Sequence, residues 1–221
     1  MPVIRYDVDI PKLSPEALAE WAEIPAAVAS DCLSRGQAMT GAISPLAPSM
    51  RITAQARTVQ VMAADNSALH AAIGECEAGE VLVCDAHGFI DSAIFGGLMC
   101  RSASDAGLAG LVIDGAVRDS AEIVEAGFPV FARSVVPAGP HKGFGGEIDG
   151  VIACGGVAVA PGDLIIGDAD GVVVVPFAKA EETLEAAKAI LAKEERALAS
   201  LATGGSLAEV YGVPEVTVVK A

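Results

Sequence analysis

The stretch Leu111-Val112-Ile113-Asp114-Gly115-Ala116-Val117-Arg118-Asp119 decides the fold. We interpret Gly110–Ile113 as a strand whose apolar run is continuous, which is typical of a strand covered on both faces in a parallel or mixed sheet. Asp119 and Glu122 have the spacing of a capping box, so we predict a helix over Ser120–Ala126. Arg118 and Asp119 would then lie at the carboxyl end of a strand, where open α/β sheets bind ligands. An adjacent cation and carboxylate suit an anionic substrate held by a divalent metal.

Composition restricts the classes of partner. The chain has 221 residues, of which 52% are hydrophobic and only 4% aromatic, so the core must consist of Ala, Val, Leu and Ile. The formal net charge of −15 argues against nucleic acid or an anionic membrane as partner, because binding phosphate requires clustered Lys and Arg. An anionic substrate therefore needs a local positive centre, supplied by Arg118, a metal or backbone N–H groups.

The cysteines and the N-terminus indicate a cytoplasmic protein. The five cysteines are odd in number and form no CxxC motif, so we interpret them as reduced thiols that serve as small core residues. Residues 1–9 carry charges and lack the apolar segment of a signal peptide. No apolar run reaches the ~20 residues that a membrane span requires.

The rest of the chain predicts a single α/β domain with helical arms at both ends. Helices are predicted from the Ser14 cap through Trp21, over Ile24–Arg35 and Asn66–Glu77, from Gly96 to near Gly107, over Ser120–Ala126, and over 178–202. Strands are predicted over Arg57–Ala64, Glu80–Asp85, Phe89–Ile94, Pro129–Ala132, Val151–Ala153, Val157–Ala160, Leu164–Ile166 and Gly171–Val175. Asp170-Gly171 between two apolar runs indicates a hairpin, and residues 135–146 form a long Gly/Pro loop.

Five motifs in this order resemble the RraA-like family, which includes the 4-hydroxy-4-methyl-2-oxoglutarate aldolases. They are Gly79–Asp85, Gly96–Met99, Gly107–Asp119, Phe128–Phe131 and Gly162–Pro176. The resemblance covers about residues 25 to 200. It implies one swivelling-type β/β/α domain over 1–221, with a core at about 25–180 and a C-terminal helix at about 178–202. It also implies a homotrimer or homohexamer with sites between subunits.

The resemblance implies a choice between two kinds of function. The catalytic branch is similar to class II pyruvate aldolases, which use Mg²⁺ or Mn²⁺ to cleave 4-hydroxy-2-oxo acids to pyruvate and a second carbonyl compound. Such enzymes often also decarboxylate oxaloacetate. The non-catalytic branch contains regulators that bind an endoribonuclease. A third possibility is a lyase that acts on another hydroxylated acid with the same metal site.

Family members also imply roles for the residues of two motifs. Asp119 would be the direct metal ligand, completed mostly by water, although the spacing alone also fits a helix cap. Arg118 would contact the keto oxygen or carboxylate and stabilise the enolate; the alternative is a surface ion pair. The glycine turn would bind a carboxylate through its backbone N–H groups, unless it is an ordinary helix start. Its residues are Gly96, Gly97, Leu98 and Met99.

Gly97 departs from the family pattern. Catalytic members usually carry an acid at this position that orders metal-bound water, so the proton-transfer group of this chain stays open, with Asp85 and Asp91 as candidates. The family also places an acid from a neighbouring subunit's C-terminal helix near the site. Glu194 or Glu195 fits that region, and a solvated helix charge is the alternative reading.

The three histidines show no metal-ligand spacing. His70 lies on a predicted helix, His87 follows a predicted strand, and His141 lies in the Gly/Pro loop, from which it could reach a substrate. A non-catalytic role is favoured for each. The sequence also lacks a P-loop and a GxSxG elbow.

Overall fold

The structure, a computed structural model, describes residues 1–219; the last two positions of the predicted domain, Lys220 and Ala221, lie outside the described residues. Its strands are β1 (Val3–Arg5), β2 (Ser44–Pro45), β3 (Ile52–Val61), β4 (Val81–Phe95), β5 (Gly110–Val117), β6 (Val130–Val135), β7 (Gly146–Ile148), β8 (Ile152–Cys154), β9 (Val157–Val159), β10 (Leu164–Asp168) and β11 (Gly171–Val175). Its helices are α1 (Pro15–Trp21), α2 (Ala26–Cys32), α3 (Ser67–Glu75), α4 (Gly97–Asp105), α5 (Ser120–Ala126), α6 (Ala180–Ala202) and α7 (Leu207–Tyr211).

The predicted mixed sheet is confirmed. Its strand order is β1-β7-β3-β4-β5-β6-β2, and β3 to β6 run parallel to one another. The antiparallel hairpin of β10 and β11, predicted from Asp170-Gly171, pairs with the first half of β3. Every residue of β5 is buried, as expected for a strand covered on both faces. The chain therefore has a mixed α/β fold with helices at both ends.

Two apolar clusters hold the fold together. The larger one surrounds the sheet and consists mainly of small aliphatic side chains, in agreement with the composition. The smaller one joins α1, α2, the β10–β11 hairpin and α6 around Trp21, whose side chain is fully buried. The long C-terminal helix, α6, thus packs against elements of its own chain. Within the described residues, no helix combines the length and apolarity that crossing a membrane requires.

Several element boundaries differ from the sequence prediction. The strand predicted over Arg57–Ala64 is β3, which runs from Ile52 to Val61 because its first half pairs with β10. The two strands predicted between Glu80 and Ile94 are one strand, β4, interrupted by bulges at which His87 and Gly88 adopt positive φ. The second helix ends at Cys32 rather than Arg35, because Ser34 and Arg35 have left-handed φ values of 56° and 61°.

A buried ion cluster fastens the N-terminal arm to the sheet. Arg57 on β3 donates two hydrogen bonds to Asp149, at 2.8 and 2.7 Å, and one to Glu80 at 3.2 Å. Burial alone would lower the pKa of Arg57, but its bonds to Asp149 and the charge of Glu80 raise it. Arg5 of β1 also donates to Asp149, at 2.9 Å. Sequence reasoning missed β1 and β7, which pair across about 140 residues and carry no local strand pattern.

Candidate active site

A cavity of about 260 Å³ lies where β4 and β5 end and α3 and α4 begin. Gly96, Leu98, Met99, Arg118 and Asp119 line it. The two motifs singled out in the sequence, one before α4 and one after β5, therefore meet in the same cavity. This is the edge of the sheet at which the parallel strands present their carboxyl ends.

Asp119 has a different local role from the one predicted. It precedes α5 in a left-handed conformation (φ 57°, ψ 36°), and its side chain accepts no hydrogen bond from that helix. The capping-box prediction is therefore wrong for Asp119. Its Oδ2 instead accepts a hydrogen bond of 3.0 Å from the N–H of Gly97, the first residue of α4. A Cβ at Gly96 would lie 2.6 Å from the same oxygen, so glycine is required for this close approach.

The Asp119 carboxylate has room for a cation. Its side chain is 42% exposed, and no residue in 1–219 donates a hydrogen bond to Oδ1. Arg118 lies beside it, with Nε 3.5 Å from Oδ2, and is itself 44% exposed. No cluster of three His, Cys, Asp or Glu side chains suited to a metal occurs among the described residues. Mg²⁺ nevertheless fits this donor set, because it keeps several waters and needs only one or two carboxylates.

Sequence reasoning missed Glu122. A Cβ built on Gly97 would lie 2.4 Å from Oε2 of Glu122, so this carboxylate occupies the space that a side chain at position 97 would use. Glu122 lines a groove that adjoins the cavity, and Leu98 contributes to both. The available signal is its position three residues after Asp119, a spacing that also fits helix capping.

The start of α4 offers open backbone donors. Gly97 N–H is occupied by Asp119, whereas within the described chain the N–H groups of Leu98 and Met99 have no acceptor. Both residues line the cavity. The predicted carboxylate-binding turn thus has two donors available.

Lys142, on the loop before β7, brings positive charge to the cavity, and His70 of α3 also lines it. His141 and His87 do not line it. The His70 side chain is exposed, but partial desolvation at the cavity lowers its pKa, and the charge of Lys142 lowers it further. His87 lies instead beside Asp85, with Nδ1 3.6 Å from the carboxylate.

The remaining acidic candidates lie away from the cavity. Asp85 is buried and accepts hydrogen bonds from Gln60 and from the N–H of His87, while Asp91 is exposed on β4. Glu194 and Glu195 are exposed on α6 and do not line the cavity of their own chain. Their contribution to a neighbouring copy stays a prediction.

A model of the RraA-like family, described as Aldolase/RraA, matches residues 26–174. The chain belongs to the RraA-like family. An RraA-like relative from Halalkalibacterium halodurans, provisionally named 4-hydroxy-4-methyl-2-oxoglutarate aldolase, is 40% identical over 80% of this chain and 85% of its own. A Thermus thermophilus relative named 4-hydroxy-4-methyl-2-oxoglutarate aldolase is 33% identical over 66% of this chain and 89% of its own.

A solved structure links the RraA-like fold to a second function. Streptomyces coelicolor RraAS2, described as an unusual member of the RNase ES inhibitor RraA family, superimposes with a TM-score of 0.76 at 29% identity. The match covers 84% of this chain and 98% of RraAS2. The family resemblance and the fold class predicted from the motifs are confirmed.

Proposed function

We propose that this protein is a divalent-metal-dependent pyruvate aldolase that cleaves a 4-hydroxy-2-oxo acid to pyruvate and a second carbonyl compound, with oxaloacetate decarboxylation as a side activity. The observation that carries the proposal is the meeting of Asp119, Glu122 and Arg118 at the start of α4. The names of two relatives support the same reaction class.

The chemistry explains why this set of residues is suitable. Cleavage of the C3–C4 bond leaves an electron pair on the pyruvyl fragment, which becomes an enolate, while C4 becomes a carbonyl. When bound, Mg²⁺ or Mn²⁺ supplies positive charge to the enolate oxygen as a Lewis acid. In our proposal the Asp119 carboxylate would hold the ion, and the bond from Gly97 fixes the orientation of that carboxylate.

Arg118 would stabilise the developing negative charge. Its backbone N–H donates to the carbonyl of Phe95 at 2.9 Å, which fixes the start of the side chain at the cavity. Within the part of the chain that the structure describes, Asp119 is its only ionic partner, at 3.5 Å, so the guanidinium has donors left for substrate oxygens. Preorganised donors of this kind typically lower the barrier by about 3 to 4 kcal/mol.

Glu122 would move the proton in our proposal. The C4 hydroxyl must lose its proton during cleavage, and C3 of the enolate must gain one. Because Glu122 lies beside Gly97 in the adjoining groove, a water between this groove and the cavity would complete the path. Oxaloacetate loses CO₂ and needs no hydroxyl deprotonation, so its decarboxylation should depend less on Glu122.

The test is a lactate dehydrogenase assay of pyruvate release from 4-hydroxy-4-methyl-2-oxoglutarate and oxaloacetate with Mg²⁺, Mn²⁺ or EDTA. Asp119→Ala and Arg118→Ala should lower kcat/KM at least 10²-fold. Asp31→Ala and Arg35→Ala are matched controls, because they break an exposed Arg–Asp pair on the surface around α2. Full activity with EDTA, or in both site variants, would refute the proposal.

A second candidate is a protein that binds and inhibits an endoribonuclease. The similarity to RraAS2 favours it, and the net charge of −15 suits a basic partner. It gives no reason for Arg118 and Asp119 to meet at a cavity with the Glu122 carboxylate in the adjoining groove. Co-purification of an endoribonuclease with both wild type and Asp119→Ala, and no turnover of either acid, would favour this candidate.

We also propose a homotrimer or homohexamer in which Glu194 or Glu195 of a neighbouring copy approaches the cavity. Leu98, at the rim of the cavity, is 89% exposed in the single chain, which suits a contact with another subunit. Light scattering after size exclusion would give the mass of the assembly. A monomer with full activity would contradict this arrangement.

A further inference from the structure

One wall of the cavity consists of two chain segments that are joined to each other. The segment that leads into α3 carries Asn66, and the loop that leads into β7 carries Lys142; both line the cavity. His141 N–H donates to the carbonyl of Ala64 at 2.7 Å, and Asn66 N–H donates to the carbonyl of His141 at 3.3 Å. Gly143 N–H donates to the hydroxyl of Ser67 at 2.7 Å.

Asp65 joins the same two segments through its side chain. It is fully buried; Oδ1 accepts from Ser67 N–H at 2.8 Å, and Oδ2 accepts from Phe144 N–H at 3.3 Å. Burial alone would raise the pKa of Asp65, but the bonds from Ser67 and Phe144 hold it below its ordinary value. The carboxylate therefore stays charged, and its two bonds are charge-assisted.

The other end of the loop is anchored independently. Ala138 and Gly139 accept hydrogen bonds from Ala93 N–H (2.8 Å) and the Ser92 hydroxyl (2.7 Å) on β4. A Cβ at Gly139 would lie 2.8 Å from Nη1 of Arg118, so this end of the loop packs against the arginine. The loop thus has one anchor near Arg118 and a second one near Lys142, which Asp65 makes together with the bonds of His141 and Gly143.

We propose that Asp65 is a positioning residue that fixes Lys142 at the cavity and thereby sets the affinity for the part of the substrate remote from the pyruvyl group. This inference rests on the proposed aldolase function. Asp65 does not line the cavity, so it acts only through the loop. Because Ser92 holds the Arg118 end separately, loss of the Asp65 bond should weaken substrate binding and leave bond cleavage unchanged.

Asp65→Asn is the sharpest test. In this variant the remaining side-chain oxygen still accepts from Ser67 N–H, so the start of α3 is kept. The new NH₂ group faces Phe144 N–H, and two donors cannot form a hydrogen bond. Asp163→Asn is the matched control. Asp163 is also buried and joins two loop N–H groups, those of Ala160 (2.8 Å) and Phe177 (2.9 Å), away from the cavity.

The readouts are KM and kcat for 4-hydroxy-4-methyl-2-oxoglutarate and inhibition by pyruvate, which lacks the remote part of the substrate and would occupy only the Arg118 end. Asp65→Asn should raise KM by up to about tenfold, because the lost bond to a charged carboxylate limits how far the loop can be destabilised, with kcat and pyruvate inhibition within twofold of wild type. Ser92→Ala should show the opposite pattern, a lower kcat with KM little changed. Asp163→Asn should alter stability only.

Amide hydrogen exchange separates failure of this inference from failure of the proposed function. Asp65→Asn should speed exchange at residues 141–146, and Asp163→Asn should not. An unchanged exchange rate, a fall in kcat without a rise in KM, or identical behaviour of the two variants would overturn the positioning role. If wild type turns over no 2-oxo acid, the aldolase proposal fails, and the exchange result still decides whether Asp65 holds the loop.

Discussion

Gly97→Ala should disable catalysis without unfolding the protein. The new Cβ would lie 2.4 Å from Oε2 of Glu122, whereas non-bonded heavy atoms rest roughly 3.5 Å apart, so the carboxylate must retreat by about 1 Å. A displacement of that size in a reacting group costs about 10²-fold in rate, or roughly 2.7 kcal/mol. Glu122 is exposed, so its carboxylate can move into solvent, and alanine favours a helix by about 1 kcal/mol over glycine, so stability should not fall.

The assay measures kcat for both acids and the thermal midpoint of unfolding. Gly74→Ala is the matched control, because Gly74 lies in α3 with open space around its would-be Cβ. Gly97→Ala should lower kcat about 10²-fold on the hydroxylated acid and less on oxaloacetate. The double variant with Glu122→Gln should lose little more than Glu122→Gln alone, because both changes act through one carboxylate.

Moving the carboxylate from position 122 to position 97 should restore part of the activity. Gly97→Asp combined with Glu122→Ala would return the carboxylate to the position that the family pattern uses. Activity above that of Glu122→Ala is the expected result. Wild-type kcat in Gly97→Ala, or additive losses in the double variant, would refute the role given to Glu122.

Three further predictions concern groups outside the reaction. Asp149→Asn should lower the free energy of unfolding by about 3 kcal/mol in urea titrations, because it weakens the buried partner of Arg57; an unchanged midpoint would contradict this. Burial raises the pKa of Cys76 to about 12, so a thiol reagent at pH 8 should label it far more slowly than a free cysteine, as peptide mass spectrometry would detect. Partial desolvation and the charge of Lys142 lower the pKa of the exposed His70 side chain, so its protonated form is slightly disfavoured in the folded state. Stability should therefore fall as pH drops below about 6.5, and His70→Gln should reduce that fall.

The sequence predicted those parts of the fold that depend on local pattern. The uninterrupted apolar run of β5, the Ser14 cap of α1 and the Asp170-Gly171 hairpin each have a short-range cause, and each is confirmed. The pairing of β1 with β7 depends on contacts about 140 residues apart, which no local pattern reveals. The bulges that let β4 continue through His87 are likewise set by neighbouring strands.

The sequence predicted which two motifs form the candidate site, but not how their residues are arranged in space. Family resemblance selected Arg118 and Asp119, and the fold brings them to the glycine turn. The left-handed backbone of Asp119 could not be read from its spacing, since the same residues suit a helix cap. The role of Glu122 could not be predicted either, because its position beside Gly97 depends on how α4 and α5 pack against each other.

The most direct test of the account is proton exchange at the methyl group of pyruvate, followed by NMR in D₂O. If Arg118, Asp119 and Glu122 form a site that stabilises the pyruvate enolate, wild type with Mg²⁺ or Mn²⁺ should remove the methyl proton signal. EDTA and Asp119→Asn should each stop the exchange. A folded, metal-supplied wild type that leaves the methyl protons in place would contradict the central claim.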